Sequence, residues 1–209
     1  DVLDSAHASA PWLSKNSIEE VFEVWKLLSA EISTKYDKPE KKSKSVSVSL
    51  TEISGGSSHN VTPQKCKITI DIRVPNGVKC LDILNHLDTS IRNISEMRKV
   101  KITYRIEDMT EPFEADHSSP LVRALSLSIL DLCKIRPVLL MKTGTGDMNV
   151  LGNSLNIPVV TYGPGEPHVS HSKIEKVEIQ SYLTSIEIYN RALFHISRLH
   201  HNITGKRTG

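Results

Sequence analysis

The stretch Ser45-Val46-Ser47-Val48-Ser49-Leu50-Thr51 decides the fold of the first half of this chain. A hydroxyl residue alternates with an apolar residue along it, and successive side chains of a β-strand point to opposite faces of a sheet. The alternation therefore predicts a strand with one buried face. Cys66 to Val74 alternates in the same way, with Ile68, Ile70 and Ile72 on one face, and predicts a second strand.

Helical and extended patterns lie on both sides of these strands. Ser17-Ile18-Glu19-Glu20 has the form of a capping box, and apolar residues follow at helical spacing. These residues are Ile18, Val21, Phe22, Val24, Trp25, Leu28 and Ile32. A second helix is predicted at 81–94, and extended segments at 2–8 and 100–106. The order β-α-β-β-α-β predicts a ferredoxin-like α+β domain, in which two helices cover one face of an antiparallel sheet.

After Thr110-Glu111-Pro112 the chain alternates between helical and extended patterns. The predicted elements are a helix at 119–133, a strand at 138–141, a turn and short helix at 144–152, a strand at 157–161 and a helix at 177–199. This alternation is typical of an α/β sheet with parallel strands. Because so few strands cannot complete such a sheet, we expect the others upstream of Asp1 and interpret the chain as a fragment.

Composition excludes several classes of protein. The chain has 209 residues and a net charge of +2, so no polyanion-binding role follows from charge. It contains no run of about 18 apolar residues, which a membrane-spanning helix needs, and no signal-peptide pattern. Cys66, Cys80 and Cys133 have no CxxC spacing. An odd number of cysteines without that spacing favours buried thiols in the cytoplasm over disulfides or a zinc finger.

The loop from Tyr162 to Glu175 is rich in glycine and proline and carries His168 and His171. It lies between a predicted strand and a predicted helix, where metal ligands and catalytic groups often occur. His171 can bind a divalent metal through a ring nitrogen, with Glu175 four residues further on. The alternative is an ordinary surface histidine, and His168 competes for the same role.

Other polar segments carry weaker signals. Lys142-Thr143-Gly144-Thr145-Gly146-Asp147 offers free backbone N–H groups to an anion, although it also fits a turn that caps a helix. Arg73 can bind a carboxylate through its guanidinium fork or remain solvated. His86 and Asp88 lie two residues apart on a helix and therefore cannot hold one metal ion. The lysine-rich run 35–44 is either a solvated linker or a contact for an acidic partner.

Several motifs together resemble the M20 metallopeptidases, a family of dinuclear-zinc aminoacylases and deacetylases. They follow the family's order along the chain from residue 1 to about residue 199. The segment 142–149, Lys-Thr-Gly-Thr-Gly-Asp-Met-Asn, is especially similar to that of the LysW-lysine and LysW-ornithine hydrolases. The other motifs are His7-Ala8-Ser9-Ala10-Pro11 with Asn16-Ser17-Ile18, Gly55-Gly56 with Asn60-Val61-Thr62-Pro63 and Asp71-Ile72-Arg73-Val74-Pro75, and Tyr162-Gly163-Pro164-Gly165 with His171-Ser172 and Glu175.

The resemblance implies an architecture. Residues 1–107 would be a ferredoxin-like lid that mediates dimerisation, inserted into an α/β catalytic domain of the zinc-peptidase type. Residues 110–209 would be the C-terminal portion of that catalytic domain. The first zinc histidine, the bridging aspartate and the catalytic glutamates of the family precede the lid, so we expect this chain to lack them.

The resemblance also implies roles for particular residues. His171 matches the last metal ligand of a site that holds two zinc or cobalt ions in the complete family. His7 matches the lid histidine that stabilises the tetrahedral oxyanion in a neighbouring subunit's site. The positions expected to bind substrate are Asn60, Arg73, Lys142, Thr143, Gly144 and Thr145.

The expected activity is hydrolysis of a linear amide, releasing lysine or ornithine from an N-acyl or carrier-linked form in lysine and arginine biosynthesis. We expect the chain to be inactive alone, because one histidine does not make a hydrolytic zinc site. The expected partners are a small amino-acid substrate, an acidic carrier protein and a second copy bound through the lid, in the cytoplasm. The alternative is a non-catalytic dimerisation or carrier-binding module.

Overall fold

The computed structural model describes residue 2, residues 6–141, 144–166 and 169, and residues 172–204, with side chains as far as Arg198. The chain divides into two compact units, Asp1–Pro112 and Phe113–Gly209. We call them unit 1 and unit 2. The domain boundary expected from the sequence, between residues 107 and 110, lies a few residues before this division.

Unit 1 contains two helices and a two-stranded antiparallel sheet. Its elements are α1 (Ser17–Tyr36), β1 (Ser47–Gly55), β2 (Cys66–Arg73) and α2 (Cys80–Arg98), with short 3-10 helices at Pro11–Leu13 and Lys42–Lys44. Ser47 lies opposite Arg73 and Gly55 opposite Cys66, with an irregularity between Leu50 and Glu52. The two alternating stretches therefore form the predicted strands, and both predicted helices are confirmed.

The start of α1 differs from the prediction by one residue. Asn16 is the N-cap, because its Oδ1 accepts a hydrogen bond from the N–H of Ile18 at 3.0 Å. Its Nδ2 donates to Glu19 Oε1 at 3.2 Å. The predicted cap, Ser17, is instead buried and donates its N–H to the carbonyl of Pro63 at 2.9 Å. The capping box prediction was therefore wrong in register, since asparagine performs the same role one position earlier.

The core of unit 1 lies between the helices and the sheet. One buried cluster joins Val24 and Leu28 of α1 to Ile94 of α2. A second cluster is made by Ile32, Val46 and Ile83. The apolar stripe predicted for α1 is thus confirmed at its centre and its end, whereas Ile18 and Phe22, near its start, are exposed.

Four strands were predicted for unit 1. Two of them do not join the sheet that the described residues form. The segment 100–106 has no regular secondary structure and no ladder partner among the described residues. Val100 is buried and Ile102 packs against the α1–α2 cluster instead. The first segment pairs with residues 60–64, through Ala8 N to Asn60 O at 2.8 Å and Thr62 N to Ala6 O at 2.9 Å. Since a sheet strand requires a hydrogen-bonding neighbour, the predicted four-stranded sheet is reduced here to β1 and β2.

Unit 2 is built on helices α3 (Pro120–Cys133), α4 (Asp147–Leu155) and α5 (Ile179–Thr204). α3 and α5 pack through Leu125, Ile129, Ile188 and Ala192. The three helices confirm the helical predictions for this half. The segments 138–141 and 157–161, which were predicted as strands, are not strands in the structure. Neither has a ladder partner among the described residues.

No helix in the described part of the chain combines the length and the apolar character that crossing a membrane requires.

Candidate functional site

The segment that carries His7 is hydrogen-bonded to residues 60–64. His7 lies opposite Val61 in an isolated antiparallel bridge. Thr62, which is 5% exposed, accepts the N–H of Ala6 at 2.7 Å through Oγ1, and the same atom lies 2.7 Å from Ser14 Oγ. Thr62 therefore fixes the backbone beside His7. The sequence analysis included Thr62 in a motif without giving it a role.

The ring of His7 is exposed and has a defined tautomer. Its Nδ1 accepts the backbone N–H of Ser9 at 3.2 Å and lies 2.7 Å from Ser9 Oγ. Because a backbone N–H can only donate, Nδ1 must be the acceptor in the neutral ring, and the proton then resides on Nε2. His7 therefore presents an N–H donor to solvent, which is the group that stabilises a developing oxyanion.

Asn60 lies next to His7, since its carbonyl oxygen accepts the N–H of Ala8 at 2.8 Å. Its side-chain oxygen accepts a hydrogen bond from Ser58 Oγ at 2.6 Å. The carboxamide nitrogen, which is a donor, is then the group suited to a carboxylate. The structure thus brings His7 and Asn60 together at one end of unit 1.

Arg73 lies at the other end of β2. Its Nε donates to Asp71 Oδ2 at 3.0 Å, and its terminal nitrogen is 2.7 Å from the same oxygen. The guanidinium is 45% exposed. An eight-residue strand spans roughly 23 Å from first to last residue, so Arg73 lies far from Cys66, the end of β2 that follows the loop with Asn60. The sequence analysis missed Asp71 as the residue that orients Arg73, although the spacing of two along a strand places both on one face.

In unit 2, Gly144 and Thr145 lead into α4. The N–H of Gly146 donates to Asn149 Oδ1 at 3.2 Å, and Asn149 N donates to the carbonyl of Gly146 at 2.9 Å. These bonds close the start of α4, as in the turn-and-cap alternative. Thr145 is exposed. Lys142 and Thr143, which were predicted with them, lie outside the described residues.

The predicted metal ligand His171 and its competitor His168 also lie outside the described residues. The segment before them is anchored at Tyr162, whose carbonyl accepts a hydrogen bond from the hydroxyl of Tyr189. The two rings meet edge to face at 5.4 Å, and burial raises the pKa of Tyr162. After the histidines, Glu175 donates its N–H to the carbonyl of Ser172 at 3.1 Å.

The metal that the resemblance implies can be tested against the donor side chains. Within the described ranges, no three histidine, cysteine, aspartate or glutamate side chains gather in a way that could hold an ion. A hydrolytic zinc centre takes about three protein ligands and a water. The described residues therefore do not fit a complete site, and we derive no chemical step through a metal.

Comparison with known proteins adds the following. Residues 4–97 match the M20 family described as "Peptidase dimerisation domain". A putative [LysW]-lysine/[LysW]-ornithine hydrolase of Pyrobaculum aerophilum is 31% identical over 189 residues, which cover 90% of this chain and 48% of that protein. A [LysW]-lysine/[LysW]-ornithine hydrolase of Saccharolobus islandicus is 30% identical, covering 76% of this chain and 41% of that protein. The chain thus spans about half the length of the curated relatives it matches.

Solved structures agree on the fold. An M20 family metallo-carboxypeptidase from Sulfolobus solfataricus superposes with a TM-score of 0.73 at 16% identity, covering 93% of this chain and 56% of that one. The aminopeptidase PepT of Bacillus cereus gives a TM-score of 0.67 at 15% identity, covering 93% of this chain and 49% of that one. The fold of this chain is therefore that of part of an M20 peptidase.

Proposed function

Since this chain carries an M20 peptidase dimerisation domain and is homologous to M20 peptidases along most of its length, we propose that it is part of a metal-dependent amide hydrolase. The proposed reaction releases lysine or ornithine from an N-acyl or carrier-linked form in lysine and arginine biosynthesis. The observation that carries the proposal is the 31% identity to a putative [LysW]-lysine/[LysW]-ornithine hydrolase over 90% of the chain.

The roles of unit 1 follow from donor chemistry. His7 donates from Nε2 to the oxyanion, because Nδ1 is committed to Ser9. Asn60 and Arg73 bind carboxylate groups of the substrate, Asn60 through its amide nitrogen and Arg73 through the guanidinium that Asp71 orients. Because Arg73 lies at the end of β2 farther from the loop with Asn60, we propose that they serve two different carboxylates or two copies of the site.

In unit 2, the segment Lys142, Thr143, Gly144 and Thr145 is proposed to bind substrate, and His171 to bind zinc or cobalt. A metal held by His171 together with further ligands would supply Lewis-acid chemistry to the amide. We propose that the chain is inactive alone, because the motif assigns one ligand to it and such a site takes about three.

We also propose a homodimer formed through the region matched by the dimerisation domain, residues 4–97, and a cytoplasmic location. The three cysteines are free. Burial, with Glu111 close by, raises the pKa of Cys80 to about 11. A thiol of this kind remains protonated and inert. The proposed location rests instead on the odd number of cysteines and the absence of CxxC spacing.

The experiment that tests the hydrolase replaces the matching part of the Pyrobaculum aerophilum protein with residues 1–199 of this chain. With zinc or cobalt present, we expect the chimera to release lysine or ornithine from N-acetyl-lysine, N-acetyl-ornithine or the carrier-linked substrate, and the isolated chain to release none. His7→Ala in the chimera is expected to lower kcat about 10²-fold or more, and Arg73→Met mainly to raise KM. A folded chimera without turnover would contradict the hydrolase, and turnover by the isolated chain would contradict the proposed inactivity.

A second candidate function is a non-catalytic module that binds an acidic carrier. It is favoured by five exposed lysines, one in the last turn of α1 and four between α1 and β1, namely Lys35, Lys38, Lys41, Lys42 and Lys44. Lys42 pairs with Asp37 at 3.2 Å. Carrier binding that weakens with salt and is lost on Lys38→Glu with Lys41→Glu would support docking. Binding unchanged by both substitutions would exclude it.

A further inference from the structure

Val61 lies beside the side chain of His7. The two residues form an isolated antiparallel bridge. Hydrogen bonds flank this bridge on both sides, Ala8 N to Asn60 O at 2.8 Å and Thr62 N to Ala6 O at 2.9 Å. In an antiparallel pair of this pattern the two opposed residues exchange no hydrogen bond, their Cα atoms are about 4.5 Å apart and their side chains lie close together on one face. The methyl groups of Val61 are therefore neighbours of the imidazole.

The bridge has a buried face and an exposed face. Thr62 is 5% exposed, and its Oγ1 lies 2.7 Å from both Ala6 N and Ser14 Oγ. Since successive side chains of an extended segment point to opposite faces, Val61 faces solvent together with His7. Val61 is 41% exposed, and His7 is exposed as well. The anchored Thr62 thus holds in place the backbone that carries Val61.

The hydrogen bonds of His7 alone do not fix the direction of its ring. The N–H and the hydroxyl of Ser9 lie 3.2 Å and 2.7 Å from one ring atom, Nδ1. A ring held at one atom can still turn about that atom, which moves Nε2. Val61 limits this movement from the side, and its β-branched side chain is stiff because few rotamers are open to it. Ser9 and Val61 together therefore restrain the direction in which Nε2–H points.

This restraint bears on catalysis through the geometry of the donor. A donor stabilises a developing oxyanion best when it already points at the place where the charge will appear. An exposed histidine without lateral support samples several rotamers, and selecting one of them costs conformational entropy. A neighbour that removes the alternative rotamers lowers this cost without touching the substrate.

We propose that Val61 is a positioning residue for His7, which it holds, together with Ser9, in the orientation that donates from Nε2. The proposal rests on the oxyanion role proposed above for His7. It assigns to Val61 an effect of side-chain shape, because the residue has no polar group of its own and acts through the imidazole beside it.

The first test uses the full chain and needs no turnover. Nuclear Overhauser contacts are expected between the methyl groups of Val61 and the ring protons of His7, whose resonances are identified by their loss in His7→Ala. The Hα–Hβ couplings of His7 are expected to report one rotamer in the wild type and in Val61→Ile, and an average of rotamers in Val61→Ala. A wild-type chain without methyl–ring contacts, or with averaged couplings, overturns the proposal.

The second test measures turnover in the chimera with the Pyrobaculum aerophilum protein. Val61→Ala is expected to lower kcat about tenfold, which is part of the cost of losing a donor, and to leave KM unchanged. Val61→Thr and Val61→Ile keep the β-branched shape and are expected to retain kcat. Leu81→Ala is the control, because it also truncates an exposed apolar side chain of unit 1, in the first turn of α2, where Leu81 is 59% exposed.

The variants separate shape from the other effects of Val61. A loss of kcat in Val61→Thr equal to that in Val61→Ala would assign the effect to polarity and overturn the proposal. A rise in KM alone would mean that Val61 binds substrate, and an unchanged kcat in Val61→Ala would mean that it has no role, so either result overturns the proposal too. A chimera without turnover contradicts the hydrolase, whereas the methyl–ring contacts and couplings still decide whether Val61 orients His7.

Discussion

The two units of this chain cover their apolar side chains to different extents. In unit 1, two buried clusters join both helices and the first residues of the sheet. In unit 2, burial is concentrated between α3 and α5, while Val138 is 79% exposed and Leu140 80% exposed. An extended apolar segment is expected to pack within a sheet covered by helices. The difference is that unit 1 buries clusters joining its helices to the residues around its sheet, whereas unit 2 leaves the apolar segment 138–140 exposed.

The largest expected effect distinguishes the two cores. Ile94 and Ile188 are both 2% exposed, one in each unit. Replacing either with alanine is expected to lower the free energy of unfolding of its unit by about 2–5 kcal/mol. Trp12 and Trp25 both lie in unit 1, so the urea transition followed by tryptophan fluorescence should shift for Ile94→Ala and not for Ile188→Ala.

Helical circular dichroism should detect the loss in unit 2 that fluorescence does not. The matched control is Leu140→Ala, which removes similar apolar area from an exposed position. Equal shifts of the fluorescence transition by Ile94→Ala and Ile188→Ala would show that the units unfold as one body, and the comparison would then fail.

A smaller effect depends on pH and is confined to unit 1. Burial, and then Lys35, lower the pKa of His86, against the opposing effect of Glu31 at 4.0 Å. Its Nδ1 is buried without a hydrogen-bond partner among the described atoms, and Tyr36 lies against the ring at 5.7 Å. A histidine with a lowered pKa stabilises the fold above its unfolded value of about 6.5, and this contribution is lost as pH falls through the folded value.

The measurement is the urea transition followed by tryptophan fluorescence. It is repeated from neutral pH down to pH values below the pKa of a histidine in the unfolded chain. The stability of unit 1 should fall over this range, and His86→Phe should reduce the fall. His59→Phe is the control, since His59 is exposed and lies in the same unit. An unchanged pH profile in His86→Phe would refute the assignment.

The smallest expected change in stability concerns the exposed segment of unit 2. Val138→Ser with Leu140→Ser should alter the free energy of unfolding by less than about 0.5 kcal/mol, as exposed substitutions do. The same double variant should bind less of a dye that reports apolar surface. Marked destabilisation would mean that these side chains are covered, and it would remove the contrast between the units.

The sequence predicted the helices well because their evidence is local. The apolar spacing of Val24, Leu28 and Ile32 placed the buried face of α1, and Ser119-Pro120 placed the start of α3. Strand pairing could not be read in the same way. Residues 100–106 alternate as a strand does, yet pairing depends on a neighbour that may come from any part of a chain.

In the candidate site, too, the motifs predicted some features and only the structure showed others. Motifs selected His7, Asn60 and Arg73, and the resemblance gave them roles. The sequence did not reveal that Thr62 fastens the backbone beside His7, or that Asp71 holds Arg73, because these are contacts of side chains whose own patterns are ordinary.

By itself, then, the sequence determined the helical periodicity, the strands β1 and β2, the order of the motifs and the family they resemble. These follow from side-chain spacing and residue chemistry along a short stretch of chain. The three-dimensional structure alone decided that Asn16 and not Ser17 caps α1, that His7 Nδ1 lies against Ser9, and that residues 100–106 stay outside the sheet of the described residues. The cap and the His7 contact join residues only two apart, and they depend on side-chain conformations that residue type alone does not fix. Strand pairing depends on backbone groups that meet across long separations in sequence, and local patterns do not encode those contacts.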